Sequence, residues 1–202
     1  MKRVREGRAM QPIDSIFNRG LFTTQMAYEA GLSKRDLKAA LTDGLITKMT
    51  RGVYARAGMP YDIYAMIALI YPNGIFAKMS ALALYDMTDE LPKHIDMAFP
   101  NGYSNKNLVS HQIKPFRQQP DRLMLGLTEV TTTSGATVTV YSPTRTLLDI
   151  WDDPQIDTAV RLEALKEYMS RFRSSQSDRE LMHFKNKLYA NSTIDYALEV
   201  LV

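Results

Sequence analysis

The sequence predicts an α+β protein in which an N-terminal winged helix-turn-helix is followed by a mixed α/β domain with a small sheet flanked by helices. Residues 23–57 have the pattern of a helix, a tight turn, a second helix and two short strands. Short alternations of apolar and polar side chains, which are typical of strands, predict strands over residues 95–99, 108–116, 122–127, 129–133 and 136–141. Residues 143–201 carry apolar side chains at helical spacing, so the chain is expected to end in helices.

The helix-turn-helix prediction depends on the capping and turn signals between its two helices. The first helix is expected over residues 23–30, and Gly31 suits the tight turn because glycine takes a positive φ at little cost. Ser33 is expected to cap a second helix over residues 34–43, with Asp36 completing a capping box. The buried stripe of this helix is formed by Leu37, Ala40 and Leu41.

The predicted DNA contacts lie on the second helix and on the hairpin that follows it. On the helix they are Ser33, Lys34, Arg35, Lys38 and Thr42. The short strands at residues 46–49 and 53–57 form a predicted wing that carries Lys48, Arg51 and Arg56. Polar side chains on such a helix read base edges in a major groove, and cations on a wing contact phosphates. The alternative is a structural helical hairpin with a solvated basic face.

The charge of the chain is concentrated in this region. Residues 1–60 contain eleven Lys or Arg and five Asp or Glu, a net charge of +6. Residues 61–202 contain fourteen and seventeen, a net charge of −3, which accounts for the total of +3. We therefore predict a DNA-binding domain over residues 1–58 and a second domain over residues 61–202, joined at Gly58-Met59-Pro60.

Composition limits the remaining possibilities. The 202-residue chain has no cysteine, which excludes disulfides and thiol chemistry. It shows no signal peptide, and its longest apolar run is too short for a membrane span, so we expect a cytoplasmic protein without a membrane partner. Residues 1–10 are basic, which suits either a DNA-contacting arm or a solubilising tail. Residues 12–19 are expected to form a further helix.

The motifs that usually carry catalysis are missing, so we predict no enzymatic activity, no metal and no cofactor. No two of the three histidines have a metal-ligand spacing, and the chain has no glycine-rich phosphate-binding motif. The one acidic-x-Lys triplet typical of metal nucleases is Asp36-Leu37-Lys38, where capping already explains the acid.

Two polar groups in the second domain are weaker candidates. The first is Ser80 with Asp86, Asp89 and Glu90. The second is Ser142, Thr144, Arg145, Thr146 and Asp149. We favour helix capping and an i,i+4 ion pair for the second group. The alternative is that Arg145 contacts a phosphate or an acidic partner surface.

Three segments resemble the AbiEi family, the antitoxins of abortive-infection type IV toxin–antitoxin systems, which serve in phage defence. They are GVYARAG, KMSALALYDMTDELPKHIDMAFP and VTVYSPTRTLLDIWD, and the resemblance extends over roughly residues 10–200. It implies that the N-terminal domain represses its own operon by binding repeats in double-stranded promoter DNA. We expect inverted repeats, because repressors commonly bind such repeats as symmetric pairs. It also implies that the second domain counteracts a nucleotidyltransferase-like toxin without forming a stable complex with it.

Two other functions remain compatible with the residues. One is a winged-helix transcription factor whose α/β domain senses a ligand and which has no toxin. The other is a DNA-processing hydrolase that carries a winged helix, against which the missing catalytic motifs argue.

Overall fold

The structure, a computed structural model, describes Ile16 and residues 20–200. The predicted basic arm at residues 1–10 lies outside the described residues, as does the helix predicted over residues 12–19 apart from Ile16. The chain divides into two compact units. Unit 1 comprises Met1–Pro72 together with Thr131–Thr137, and unit 2 comprises Asn73–Val130 and Val138–Val202. The predicted division into domains of residues 1–58 and 61–202 concerns which segments fold independently, and it stays a prediction.

Among its described residues from Gly20 onwards, unit 1 contains two short helices, a three-stranded antiparallel sheet and a third helix. Its elements are β1 (Leu21–Thr23), α1 (Thr24–Glu29), α2 (Lys34–Thr42), β2 (Ile46–Thr50), β3 (Val53–Arg56) and α3 (Ile63–Ile70). The strand order is β1-β3-β2, so β3 is central. Both helices predicted over residues 23–30 and 34–43 are present. The first is one residue shorter than predicted at each end, and the second ends one residue earlier.

Apolar side chains cover both faces of this sheet. Phe22 and Ile46 belong to a buried cluster with residues of α1 and α2, among them Ala27 and Leu37. The alternate residues of the strands face the other way, because successive side chains of a strand point to opposite faces. On that second face lie Leu21 and Ala55, which form a cluster with Ala65, Met66 and Leu69 of α3. The helix after the hairpin therefore completes the core of unit 1.

Residues 131–137 belong to unit 1 and hold the start of α3. Asp62 is the N-cap of α3, and its carboxylate accepts hydrogen bonds from the backbone N–H groups of Tyr64 and Ala65 at 2.8 and 3.2 Å. The Ser134 hydroxyl donates to the other oxygen of the same carboxylate at 3.0 Å. Burial alone would raise the pKa of Asp62, but the hydrogen bonds, including one from Thr132, outweigh it and lower the pKa below 3.8.

We expect Asp62→Ala to lower the free energy of unfolding by about 0.5–2 kcal/mol, as loss of an N-cap does. Because the folded-state pKa is lowered, this contribution is complete above the ordinary value and disappears as the pH falls through the folded-state pKa. Urea unfolding of both proteins at a series of pH values should therefore show a difference that narrows below about pH 4. Asp43→Ala is the matched control, because Asp43 is exposed and its side chain makes no hydrogen bond among the described residues. A difference that widens in acid would contradict the capping role.

Unit 2 contains a five-stranded sheet and six helices among its described residues. The strands are β4 (Ile75–Phe76), β5 (Ile95–Pro100), β6 (Ile113–Gln118), β7 (Leu127–Thr131) and β8 (Thr137–Tyr141). The helices are α4 (Lys78–Leu84), α5 (Pro120–Leu123), α6 (Pro143–Trp151), α7 (Thr158–Arg171), α8 (Ser175–Leu188) and α9 (Ile194–Val200). The order β6-β5-β4-β8-β7 includes parallel and antiparallel pairs, so the sheet is mixed. The predicted combination of helices with β-sheet is confirmed.

Two segments of unit 2 differ from the strands that alternation predicts. The strand that alternation at residues 108–116 suggests begins only at Ile113, because turns occupy the preceding residues and Gln112 has a φ of +55°. Residues 122–127 were expected to be a strand, but Pro120 begins the short helix α5 and β7 starts at Leu127. Proline favours the first turn of a helix because its fixed φ suits that position.

Candidate nucleic-acid interface

The start of α2 is fixed by a complete capping box. The Ser33 hydroxyl accepts a hydrogen bond from the Asp36 backbone N–H at 3.3 Å, and the Asp36 carboxylate accepts from the Ser33 backbone N–H at 2.8 Å. The same carboxylate accepts from the Ser33 hydroxyl at 2.7 Å. These bonds to Ser33 lower the pKa of Asp36, and nearby Arg35 lowers it further. Asp36 is therefore a structural acid, as the sequence indicates.

We expect Ser33→Ala to lower the free energy of unfolding by about 0.5–2 kcal/mol, because the first turn of α2 loses its acceptor. Ser33→Asn is the matched variant, since asparagine caps helices about as well as serine and should retain most of the stability. Urea unfolding followed by circular dichroism measures both. Equal losses in the two variants would show that side-chain capping is not what Ser33 contributes.

The turn before α2 connects the two helices with four residues, 30–33. Gly31 has a φ of +88°, the left-handed conformation that glycine adopts most easily. The Leu32 backbone N–H then donates to the Ala27 carbonyl at 2.9 Å, and Leu32 is buried with the core of unit 1. Ala27 itself has no exposed surface, which agrees with a small residue at a close helix contact.

The outer face of α2 carries the predicted base-contacting residues. Leu37 and Ala40 are buried, whereas five predicted site residues are exposed: Ser33, Lys34, Arg35, Lys38 and Thr42. The three cations make no side-chain hydrogen bond or ion pair within the part of the chain that the structure describes. The Thr42 hydroxyl donates to the Lys38 carbonyl at 3.0 Å, so only its acceptor capacity remains for a ligand.

The β2–β3 hairpin carries the other three predicted residues, all of them exposed: Lys48, Arg51 and Arg56. Arg51 lies in the turn, and Arg56 pairs with Ile46 at the opposite end, so the charges are spread along the hairpin. The turn is attached to α1, because the Thr24 backbone N–H donates to the Gly52 carbonyl at 2.9 Å. At the other end, the Leu45 backbone N–H donates to the Ala40 carbonyl at 2.9 Å, which joins the hairpin to α2.

Sequence reasoning missed one exposed residue of the α2 face. Ala39 is exposed and lies four residues after Arg35 and three before Thr42, so the three residues follow one helical stripe. It was left out because alanine carries neither charge nor hydrogen-bonding group. Its methyl group is suited to contact with a thymine methyl, and its helical spacing was the available signal.

The Arg145 group in unit 2 is a buried structural network. The Arg145 side chain has 0% exposure, and its Nε lies 2.7 Å from an Asp149 carboxylate oxygen. Its guanidinium also donates to the carbonyls of Arg122 and Leu125, each at 3.1 Å, and Tyr189 donates to Asp149 at 2.7 Å. Burial raises the pKa of Asp149, and Arg145 opposes that rise. The favoured interpretation is confirmed: Ser142 caps α6, and Arg145 and Asp149 form an i,i+4 ion pair within that helix.

The four residues of the Ser80 group do not form a catalytic or metal-binding cluster. Ser80 is buried and its hydroxyl accepts from the Asp96 backbone N–H at 2.8 Å, whereas Asp86, Asp89 and Glu90 are exposed. Among the residues described by the structure, no group of three His, Cys, Asp or Glu side chains is placed to hold a metal ion. None of the helices in that same part of the chain combines the length and hydropathy needed to cross a bilayer.

Comparison with known proteins gives a match to a family model and a similarity in fold to solved structures. Residues 10–57 match the family model described as "Transcriptional regulator, AbiEi antitoxin", so the AbiEi resemblance is confirmed over this segment. The chain is similar in fold to the crystal structure of the RV2827C protein from Mycobacterium tuberculosis, with a TM-score of 0.59 and 15% identity, over 92% of this chain and 73% of that one. No curated protein sequence matches the chain.

Proposed function

We propose that this protein, which carries the AbiEi antitoxin regulator segment at residues 10–57, binds the promoter DNA of its own operon and represses it. In this proposal unit 1 acts as a winged helix-turn-helix, with α2 in the major groove and the β2–β3 hairpin on the phosphate backbone. The observation that carries it is the outer face of α2, where Lys34, Arg35 and Lys38 are exposed opposite a buried apolar stripe.

The charge distribution supports nucleic acid as the partner of this face. Lys34, Arg35 and Lys38 form no ion pair with a carboxylate among the described residues, and the same holds for the three cations of the hairpin. A cation without an internal partner is available to a phosphate, and each phosphate that it neutralises releases a condensed counterion. Binding driven in this way weakens steeply with salt.

The second half of the proposal is antitoxin activity. The AbiEi resemblance implies a nucleotidyltransferase-like toxin whose action is opposed in the cytoplasm without a stable complex. Unit 2 is the segment that would carry this activity, and the role requires no catalytic residue of this chain. The operator is expected to contain inverted repeats, since repressors of this class commonly bind as symmetric pairs.

The DNA half is tested by binding of the full chain to the DNA immediately upstream of its own gene, against a scrambled duplex, over a salt series. We expect a preference for the upstream DNA and a steep decrease of affinity with salt, both reduced in Arg35→Ala/Lys38→Ala. Lys106→Ala/Lys166→Ala is the matched control, because both lysines are exposed in unit 2. Equal binding of the two duplexes would reject the operator-binding role.

The antitoxin half is tested separately by co-expression with the toxin encoded beside it. The Arg35→Ala/Lys38→Ala variant should restore growth as well as the unchanged protein, because unit 2 is intact in it. Affinity purification should recover the antitoxin without stoichiometric toxin. Failure of the unchanged chain to restore growth would reject the antitoxin role. It would not affect the proposal that unit 1 binds DNA, which is tested separately.

A further inference from the structure

Unit 2 contains a polar cavity that the proposed function does not use. Its volume is about 240 Å³, and it lies where β5, the start of α4 and the start of α7 meet. The nearly buried Asp96 is among its lining residues, along with the half-buried Lys78 and Lys114. Met79, Ile156 and Val160 supply an apolar part of the lining. A space of this size accommodates a small metabolite but not a nucleotide or a macromolecule.

The positive charges of the cavity are only partly neutralised. The Lys78 ammonium lies 2.6 Å from an Asp153 carboxylate oxygen, so its charge is paired. The Lys114 ammonium donates to the neutral Gln155 amide at 2.7 Å and has no ion pair with a carboxylate. Of the other acids in the lining, Asp157 accepts a hydrogen bond from the Ala159 backbone N–H in the first turn of α7, and neither Asp157 nor Glu90 forms an ion pair among the described residues. Lys114 is therefore the half-buried cation best placed to receive a single anionic group.

Asp96 gives the cavity a buried acceptor beside that cation. It is only 4% exposed, and its carboxylate accepts a hydrogen bond from the Met79 backbone N–H. Burial raises the pKa of Asp96, while Lys114, His94 and Lys78 oppose the rise, which indicates that these side chains lie near the same carboxylate. A phosphate dianion beside the Asp96 carboxylate would be repelled. A monoanion with an adjacent hydrogen-bond donor could place its charge at Lys114 and donate to Asp96.

We propose that this cavity binds a small aliphatic carboxylate that carries an amino or hydroxyl donor beside its carboxylate. The carboxylate pairs with Lys114, the donor bonds to Asp96, and the aliphatic part packs on Met79, Ile156 and Val160. This ligand class goes beyond the proposed DNA and toxin roles. It would give unit 2 the ligand-sensing property that the alternative function requires.

The experiment is calorimetric titration of the full chain with L-leucine, L-2-hydroxyisocaproate, isocaproate and inorganic phosphate. The first two carry a donor beside the carboxylate, and isocaproate is the same chain without it. We expect saturable binding of leucine or hydroxyisocaproate, about tenfold or more tighter than isocaproate, because a hydrogen bond to a charged group is lost. Lys114→Met should weaken the binding of all three carboxylate ligands. Lys106→Met, at an exposed lysine of the same unit, should leave their affinities unchanged.

Asp96→Asn separates the donor contact from the charge contact. In this variant the preference for leucine or hydroxyisocaproate over isocaproate should shrink towards unity. Since Asp96 is buried, its variant is compared only after thermal unfolding shows a folded protein, and Lys114→Met supplies the decisive test otherwise. The proposal is overturned if none of the three carboxylates saturates, if phosphate alone binds, or if Lys114→Met binds as the unchanged protein does.

Discussion

Replacing Asp149 with alanine is expected to lower the free energy of unfolding by about 3–5 kcal/mol, the cost of leaving one partner of a buried ion pair without the other. Arg145 would keep its charge inside unit 2, where its side chain has no exposed surface. The stacking of its guanidinium carbon 4.4 Å from the centre of the Tyr141 ring, and its bonds to two carbonyls, cannot replace the carboxylate charge. Urea unfolding at neutral pH measures the loss.

Glu167→Ala is the matched control for this prediction, because Glu167 and Arg171 form another i,i+4 pair on a helix. Their side chains are 40% and 42% exposed, and exposed pairs contribute about 0–1 kcal/mol. Arg145→Met/Asp149→Leu should lose less stability than Asp149→Ala, because it removes both charges. Similar losses from Asp149→Ala and Glu167→Ala would mean that burial does not set the importance of the Arg145 pair.

The second large effect is expected at the DNA interface, where Arg35 and Lys48 should behave differently. If Arg35 reads a guanine edge, Arg35→Ala should cost about 1–3 kcal/mol of affinity and relax selectivity at one operator position. Lys48→Ala should weaken binding to all sequences alike and reduce the salt slope by about one, because a phosphate contact carries no sequence information.

Binding of both variants to operators changed at one base pair at a time measures this difference. Lys106→Ala, at an exposed residue of unit 2, controls for the loss of one positive charge. A uniform loss in both variants would make Arg35 a phosphate contact. Negligible losses in both would remove the outer face of α2 from the interface.

The elements that local signals determine were predictable from the sequence. The Ser33 and Asp36 capping box and the buried Leu37 and Ala40 are encoded within ten residues, and the structure shows each of them. All eight predicted contact residues are exposed, but exposure alone does not test whether they touch DNA. The exposed face of a helix can be predicted from the sequence when the helix carries its own N-cap and its own apolar stripe.

The features that escaped prediction depend on contacts between distant parts of the chain. Strands β1 and β4 have three and two residues, too few to show a period of two, and they exist through pairing with strands elsewhere. The Arg145 pair was expected, but its burial beneath the carbonyls of residues 122 and 125 was not. The cavity likewise combines residues from 78 to 160, which no local pattern connects.

The attachment of residues 131–137 to unit 1 has a consequence for synthesis on the ribosome. Residues up to Pro72 emerge first, yet the segment that supplies Ser134 to the α3 cap and Ala136 to the core follows some sixty residues later. The N-terminal unit of the nascent chain therefore keeps one carboxylate and one apolar edge uncovered until almost half of the second unit has also been translated. A chain that terminates between Pro72 and Thr131 would contain the N-terminal part of unit 1 without Ser134 and Ala136, which contact the α3 cap and the core.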